Sequence, residues 1–373
     1  MRYYLIAGEA SGDLHASNLM KELKKQDPVT QFRFWGGDMM LQQGGELVKH
    51  YRDLAYMGFL EVATHLKVIL ENLEFCKKDL LRFQPDVIIL IDYPGFNLRM
   101  ARFAFHHGIR VFYYISPQLW AWRPSRVKLI KRFVDRMFVI LPFEKNFYAK
   151  YNFPVDFVGH PLLDVINDKM PVLSKADFLS ANGLTDRPII ALLPGSRKME
   201  ISKILRIMLS VVESFKEYQF VVAAAPSIPA HFYQEILRST SAKLVTNQTY
   251  DLLKHATAAL VTSGTATLET ALMGVPQVVC YKGNALSYAI ARKIVHIDYI
   301  SLVNLIAGKP LVRELIQQDL TTVNLIEEMK IILDNFDYRN DIKQNYIELI
   351  KSLGGEGASA RSATLMIQYL SKN

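Results

Sequence analysis

The sequence predicts an α/β protein built from two doubly wound parallel-sheet domains. Short apolar runs alternate with helical patterns through most of the 373 residues. The runs are apolar throughout rather than at every second position, as in strands buried on both faces. The alternation also restarts after a polar segment near 164–187, and a chain of 373 residues suits about two domains.

In the first half, Tyr3–Ala7, Phe32–Trp35, Val87–Ile91, Val111–Ile115 and Met137–Leu141 read as strands. Ala16–Lys25 reads as a helix between them. So does Glu61–Phe83, where Val62, Leu66, Ile69, Leu70 and Leu73 fall at helical spacing. In the second half, Ile189–Leu193, Phe220–Ala224, Lys243–Thr246, Ala258–Thr262 and Gln277–Tyr281 read as strands. After Thr321 the pattern is helical, over Leu325–Phe336, Arg339–Leu353 and Ala358–Leu370, with Gly354-Gly355-Glu356-Gly357 separating the last two. In doubly wound folds ligands bind outside the carboxyl ends of strands. Two such domains facing a cleft offer one surface to each of two substrates.

The net charge is +8, from 44 basic and 36 acidic residues. Residues 1–163 hold 22 Lys/Arg and 16 Asp/Glu, a net +6; the remainder holds 22 and 20, a net +2. The first half is therefore expected to face the more anionic partner, with random solvated charge an equally good reading of the count alone. Cys76 and Cys280 stand in no ligand spacing and read as buried core thiols. Met1–Gly8 turns polar too early for a signal peptide, and no apolar stretch reaches the roughly 18 residues that span a bilayer.

Two strand–helix junctions in the second half resemble halves of a phosphate clamp. Leu192-Leu193-Pro194-Gly195-Ser196-Arg197 follows one strand, and Ser263-Gly264-Thr265-Ala266-Thr267-Leu268-Glu269 follows another. A helix start offers N–H groups and a positive dipole end, glycine lets backbone approach closely, and arginine adds a charge-assisted bond. Together they point to a diphosphate, such as that of a nucleotide sugar. Glu269 lies one turn into its helix, where a carboxylate can accept ribose hydroxyls; an ordinary helix carboxylate is the competing reading.

Three junctions in the first half carry candidate chemistry. Gly8-Glu9-Ala10-Ser11-Gly12-Asp13 follows the first strand, with Asp13 either a ligand group or a helix cap. Ile91-Asp92-Tyr93-Pro94-Gly95-Phe96-Asn97 places an acid at a strand's carboxyl end, suited to a general base or to capping the next helix. Ser116-Pro117-Gln118-Leu119-Trp120-Ala121-Trp122-Arg123 opens a segment, Trp120 to Arg136, with six basic residues and one acid, Asp135. Basic groups beside tryptophans suit an anionic, partly apolar ligand or an anionic membrane surface better than nucleic acid, because the aromatics sit in one loop rather than along a stacking face. No H-E-x-x-H, Asp-x-Asp after a strand, Walker motif or G-x-S-x-G elbow is present in the sequence.

With these motifs in order, the chain resembles the lipid-A-disaccharide synthase family, bacterial glycosyltransferases of the GT-B fold. The resemblance adds Met57-Gly58, Glu61-Val62, Pro85-Asp86, Pro142-Phe143-Glu144, Phe157-Val158-Gly159-His160, Ser301-Leu302 and Asn304-Leu305 to the junctions above, in all about four-fifths of the chain. It implies an inverting, metal-independent transfer from UDP-2,3-diacylglucosamine to 2,3-diacylglucosamine 1-phosphate (lipid X), giving a β-1,6-linked disaccharide and UDP. No cofactor and no nucleic acid are implied. It further implies a peripheral protein on the cytoplasmic face of the inner membrane and a homodimer. The domains would be 1–163 for the acceptor and membrane, 164–338 for the UDP-sugar, and helices 339–373 packing back on an N-terminal domain.

Residue by residue, the expected catalytic pair is Asp92 as base and Arg197 for charge on the leaving UDP. UDP is expected on Gly195, Ser196, Arg197, Ser263, Gly264, Thr265, Ala266, Glu269 and Asn304. The acceptor is expected on Glu9, Ser11, Gly12, Asp13, Asn97, Ser116, Gln118, Trp120 and Arg123. Some family members carry an acid where this chain has Gly95, which leaves Asp92, Glu9 and Asp13 as this chain's own candidates for the base. Helix 61–83 and the tryptophan loop are the expected seats of the acyl chains. The rival readings are an enzyme resembling the UDP-N-acetylglucosamine 2-epimerases on the same fold, and a non-catalytic bilobed ligand-binding protein.

Overall fold

The computed structural model describes residues 1–54, 66–122, 124–168, 173–284, 288 and 297–371. It divides into two compact units, one formed by Met1–Asp164 with Leu353–Asn373 and the other by Val165–Ser352. Each contains one parallel sheet.

The first sheet has seven strands: β1 (Arg2–Ala7), β2 (Gln31–Gly36), β3 (Glu46–His50), β4 (Val87–Ile91), β5 (Arg110–Tyr114), β6 (Arg136–Val139) and β7 (Asp156–Phe157), in the order β3-β2-β1-β4-β5-β6-β7. Leu5 on β1 lies between Phe34 on β2 and Ile89 on β4. Tyr3 to Ala7 and Val87 to Ile91 are fully buried, as strands covered by helices on both faces must be. The second sheet repeats the plan with β8 (Ile189–Leu193), β9 (Gln219–Ala224), β10 (Lys243–Thr246), β11 (Ala256–Thr262), β12 (Gln277–Tyr281) and β13 (Arg313–Ile316), in the order β10-β9-β8-β11-β12-β13. Ala191 at its centre lies between Val221 and Ala259.

All ten expected strands are present. The unexpected ones, β3, β7 and β13, lie outermost in their sheets. Two of them, Glu46–His50 and Arg313–Ile316, are only partly buried and mix charged with apolar residues, so they lack the apolar signature of a central strand. The expected helix 16–25 starts earlier, at Ala10, and the expected helix 61–83 is described from Leu66 to Phe83. Met57, Gly58, Glu61, Val62 and Arg123 lie outside the described residues. Both cysteines are free and buried.

The C-terminal helices divide differently from the expected boundary at 339. The helix Phe336–Ser352 belongs to the second unit, where Gln277 Nε2 donates to the Tyr346 hydroxyl at 3.2 Å. Only the helix Ala358–Ser371 belongs to the first unit, where it packs against the helix Ala10–Gln26. Three contacts hold it there. The Asp164 carboxylate accepts the N–H groups of Gly357 (2.6 Å), Ala358 (3.3 Å) and Ser359 (2.9 Å), capping the helix start. Arg361 donates to the carbonyls of Val158 and Gly355. His160 N–H donates to Leu353 O at 3.0 Å. Gly159 has φ +86°, and a Cβ there would also crowd the Leu353 carbonyl oxygen at 3.0 Å, which explains a glycine in Phe157-Val158-Gly159-His160.

Candidate active site

In both sheets the chain leaves the first strand toward one edge and the fourth toward the other. The two carboxyl ends therefore flank a crevice where doubly wound folds bind ligands. In the first unit that crevice is bordered by the turns after β1 and β4, and in the second by those after β8 and β11.

In the first unit, Gly8 must be glycine because the Tyr93 ring lies where its Cβ would be. Glu9 then opens the helix Ala10–Gln26 as its N-cap. Asp13 is buried and its carboxylate is turned to backbone. Its Oδ1 accepts N–H bonds from Gly37 (2.7 Å) and Met40 (3.1 Å), and its Oδ2 one from Met39 (3.1 Å). The cap reading was correct in kind, but the capped helix is Asp38–Gln42, not Asp13's own. Gly12 is buried against Ala7 and serves the packing of helix on strand, while Ser11 is exposed.

After β4 the backbone makes a turn that side chains rarely tolerate. Asp92 has φ +42° and Tyr93 has φ +48°, both in the left-handed region. Each such residue costs about 1–3 kcal/mol unless its surroundings enforce it. Here the Asp92 carbonyl accepts from Tyr113 Oη at 2.6 Å and Asn97 Nδ2 at 2.8 Å, and the Asp92 N–H donates to Tyr114 O at 3.3 Å. Asn97 is fully buried and its amide also donates to Ile91 O at 3.1 Å. It is thus a brace for the turn rather than an acceptor contact. Burial first, and then the nearby Glu9 charge, push the Asp92 carboxyl up to about 7, against one backbone N–H bond from Tyr93. A carboxylate so poised is half-protonated near neutral pH, where proton transfer is most effective.

The tryptophan loop follows β5 through Ile115, another left-handed position at φ +63°. Ser116 is buried and its hydroxyl meets the Tyr148 hydroxyl at 2.7 Å, so it supports the loop from below. Gln118 is exposed, and Trp120 stands edge-on against Phe143 with centroids 4.9 Å apart. Beneath them lies Glu144, 1% exposed, which accepts the N–H groups of Ile140 (3.2 Å) and Leu141 (3.0 Å). Burial pushes its carboxyl up to about 7, opposed by those N–H groups, the Ser116 hydroxyl and the Trp120 indole. Sequence reasoning registered Glu144 only inside a motif. Its spacing two residues after Pro142 is that of a capping carboxylate, the one available signal.

In the second unit, Gly195 has φ +108°, and a Cβ there would stand 2.8 Å from Glu200 Oε2. Arg197 is exposed and forms the N-cap of the helix Lys198–Leu209. Burial raises the half-buried Glu200 carboxyl, while the Arg197 guanidinium and Ser196 N–H lower it. After β11, Gly264 has φ +150° and starts the helix Thr265–Leu272, with no side chain capping it. Gly264 and Thr265 are exposed, so the start of this helix is open to solvent, while the Ser263 hydroxyl donates to Ile300 O at 2.8 Å. Ala266 is partly buried behind them. Glu269 accepts a bond from Tyr250 Oη at 2.7 Å, and burial raises its carboxyl.

Asn304 departs from expectation. It is 1% exposed, its amide donates to Val312 O and Glu314 Oε1 at 2.9 Å each, and its oxygen accepts the Val312 N–H at 3.0 Å. Glu314 also gathers Ser301 Oγ at 2.7 Å and the N–H groups of Ile300 and Ser301. With its polar atoms spent inside this network, Asn304 braces the segment whose Ile300 carbonyl holds Ser263; it is not a ligand group. The structure therefore leaves Gln118 exposed and Asp92, Glu9 and Trp120 partly exposed in the first unit, and Gly195–Arg197, Gly264–Thr265 and the partly buried Glu269 around the crevice of the second.

Comparison with known proteins bears on the whole chain. A family profile described as Lipid-A-disaccharide synthetase matches residues 3–368. Lipid-A-disaccharide synthase of Syntrophus aciditrophicus is 41% identical, covering 99% of this chain and 98% of that protein. The protein of the same name from Coxiella burnetii is 39% identical over 91% of this chain and 90% of its own length. Among solved structures, UDP-GlcNAc 2-epimerase from Neisseria meningitidis bound to UDP-GlcNAc aligns with a TM-score of 0.66 at 17% identity, covering 100% of both chains. The calicheamicin glycosyltransferase CalG4 aligns at 0.62 and 16% identity, over 100% of this chain and 98% of its own. At such identities these two structures share the fold, and GT-B is its name.

Proposed function

The chain belongs to the lipid-A-disaccharide synthase family and is a glycosyltransferase of lipid A biosynthesis, and from that premise we propose the following reaction and division of labour. The protein transfers 2,3-diacylglucosamine from UDP to the 6-hydroxyl of 2,3-diacylglucosamine 1-phosphate. The first unit takes the acceptor and the second takes the UDP-sugar.

Asp92 removes the proton from the attacking hydroxyl, which supplies roughly 10²–10⁴-fold. The oxygen attacks the anomeric carbon from the face opposite UDP through an oxocarbenium-like state, and the configuration inverts. UDP leaves as an anion. Arg197 and the open helix start at Gly264–Ala266 meet its growing charge, each well-placed donor being worth about 3 kcal/mol at the transition state. Glu269 accepts the ribose hydroxyls. The observation that carries the mechanism is the Asp92 turn, a carboxyl raised to about 7 on a backbone strained at two successive residues.

We also place the protein at the cytoplasmic face of the inner membrane, where both lipids reside. Among the described residues no helix is long and apolar enough to cross a membrane. The deciding experiment incubates the protein with UDP-2,3-diacylglucosamine and lipid X and follows UDP and disaccharide. Release of both supports the reaction. Inertness on this pair with epimerisation of UDP-N-acetylglucosamine overturns it.

A further inference from the structure

The first anion-binding junction of the second unit contains a carboxylate. Glu200 stands in the first turn of the helix Lys198–Leu209, and its side chain reaches back over the turn after β8. A Cβ on Gly195 would meet Glu200 Oε2 at 2.8 Å and Thr262 Cγ2 at 3.5 Å. The carboxylate therefore lies over the glycine of one junction, beside the strand end that leads into the other. The Arg197 guanidinium and the Ser196 N–H favour its charged form, against burial. Tyr281, at the end of β12, completes the group. Burial raises its phenol most, the Glu200 charge raises it further and the Arg197 charge lowers it, so the three side chains lie in one another's fields. The Thr262 hydroxyl is buried next to Gly195 with no hydrogen-bond partner among the described residues.

An acid in the first turn of a helix suits the helix dipole, and a solvated side chain would be enough for that. Glu200 is instead half-buried with an oxygen turned to Gly195. There it opposes the binding of phosphate, because like charges repel. Repulsion is useful where two similar ligands must be told apart. The donor and the product of the proposed reaction differ in charge at this place. In a UDP-sugar both phosphates are esterified, and each carries one negative charge. In free UDP the terminal phosphate has lost its sugar and takes a second charge, with a pKa of about 6. Near neutral pH the product is thus the more highly charged ligand.

We infer that Glu200 is a specificity-determining residue, which makes the crevice of the second unit prefer the sugar-esterified diphosphate to free UDP and so hastens departure of the product. This rests on the proposal that the second unit binds the UDP-sugar. At the transition state the extra charge is only partly formed, and Arg197 with the helix start at Gly264–Ala266 meets it. Once the glycosidic bond is broken, the full charge faces Glu200. Attraction serves the reaction and repulsion serves the release.

The test measures, by calorimetry on the full chain, the binding of UDP and of UDP-2,3-diacylglucosamine without acceptor. Glu200→Gln keeps the shape and an oxygen for the Ser196 N–H but removes the charge. It is expected to tighten UDP by about tenfold and the donor by no more than about threefold. The inhibition constant of UDP in turnover should fall by the same factor as its dissociation constant. Glu200→Asp keeps the charge and is expected to bind UDP within about threefold of wild type. A residue that only shaped the loop would move both ligands together. Wild type supplies a second readout that needs no variant to fold. From roughly pH 5.5 to roughly pH 8 the affinity for UDP relative to the donor is expected to fall, since the terminal phosphate and Glu200 both lose protons and repel more strongly. Equal changes for both ligands or unimproved UDP binding in Glu200→Gln, or a relative affinity that stays flat or rises with pH, overturns this role of Glu200. Failure of wild type to bind either ligand overturns the reading of the crevice itself.

Discussion

The two units share a strand order yet solve the switch point in opposite ways. In the second, the left-handed backbone positions next to the crevice are glycines, Gly195 at φ +108° and Gly264 at φ +150°. In the first they are Asp92, Tyr93 and Ile115, at φ +42°, +48° and +63°. Glycine takes these angles at little cost and presents bare backbone, which suits binding an anion through N–H groups. Side chains there cost free energy, and the first unit braces them with Tyr113, Asn97 and Tyr114. On the proposed division of labour, one scaffold specialises by what stands at its strained positions: backbone for holding, side chain for chemistry.

The comparison breaks most decisively at Asp92. Asp92→Asn is expected to lower kcat by roughly 10²–10⁴-fold while UDP binding, measured by calorimetry, stays unchanged. A variant with normal turnover removes Asp92 as base, and one that loses UDP instead breaks the division of labour. Next in size is Arg197→Ala, expected to reduce kcat/KM by about 10²-fold, corresponding to about 3 kcal/mol.

Gly195→Ala and Gly264→Ala separate steric from conformational need. The first meets Glu200 Oε2 and a left-handed backbone; the second meets open space and suffers the backbone alone. UDP affinity is expected to fall by roughly tenfold for Gly195→Ala and by less for Gly264→Ala. Equal losses would mean that the overlap with Glu200 is immaterial.

The smallest effect concerns pH. A base must be deprotonated, so turnover should fall as pH drops through about 7, the value to which burial and Glu9 raise Asp92. Glu9→Gln removes a negative neighbour, which lowers the Asp92 pKa and moves the acidic limb of the pH–rate profile to lower pH. An upward or absent shift argues that another group sets that limb.

Much of this was legible in the sequence. Apolar runs located every central strand, because burial on both faces leaves an unmistakable composition. The glycine junctions of the second unit were legible for a similar reason, since bare backbone at a helix start needs glycine. The first unit was harder. Asp13, Asn97 and Ser116 have the chemistry of ligand contacts, but their partners are Gly37 and Met40, Ile91 and Asp92, and Tyr148, set by packing that no local pattern records. Asn304 misled in the same way, its needs met by Val312 and Glu314. The strain at Asp92 is equally invisible, because its cause is the meeting of β4 with β5.

The return of the helix Ala358–Ser371 to the first unit sets a clock on biosynthesis. Residues 165–352 must be made between the two parts of that unit. At about 5–20 residues per second, ribosomes take roughly 10–40 s over that interval. Throughout it, the face of the helix Ala10–Gln26 that will later receive Ala358–Ser371 has no cover. The second unit can complete itself first, and the nascent first unit is the natural client for a chaperone.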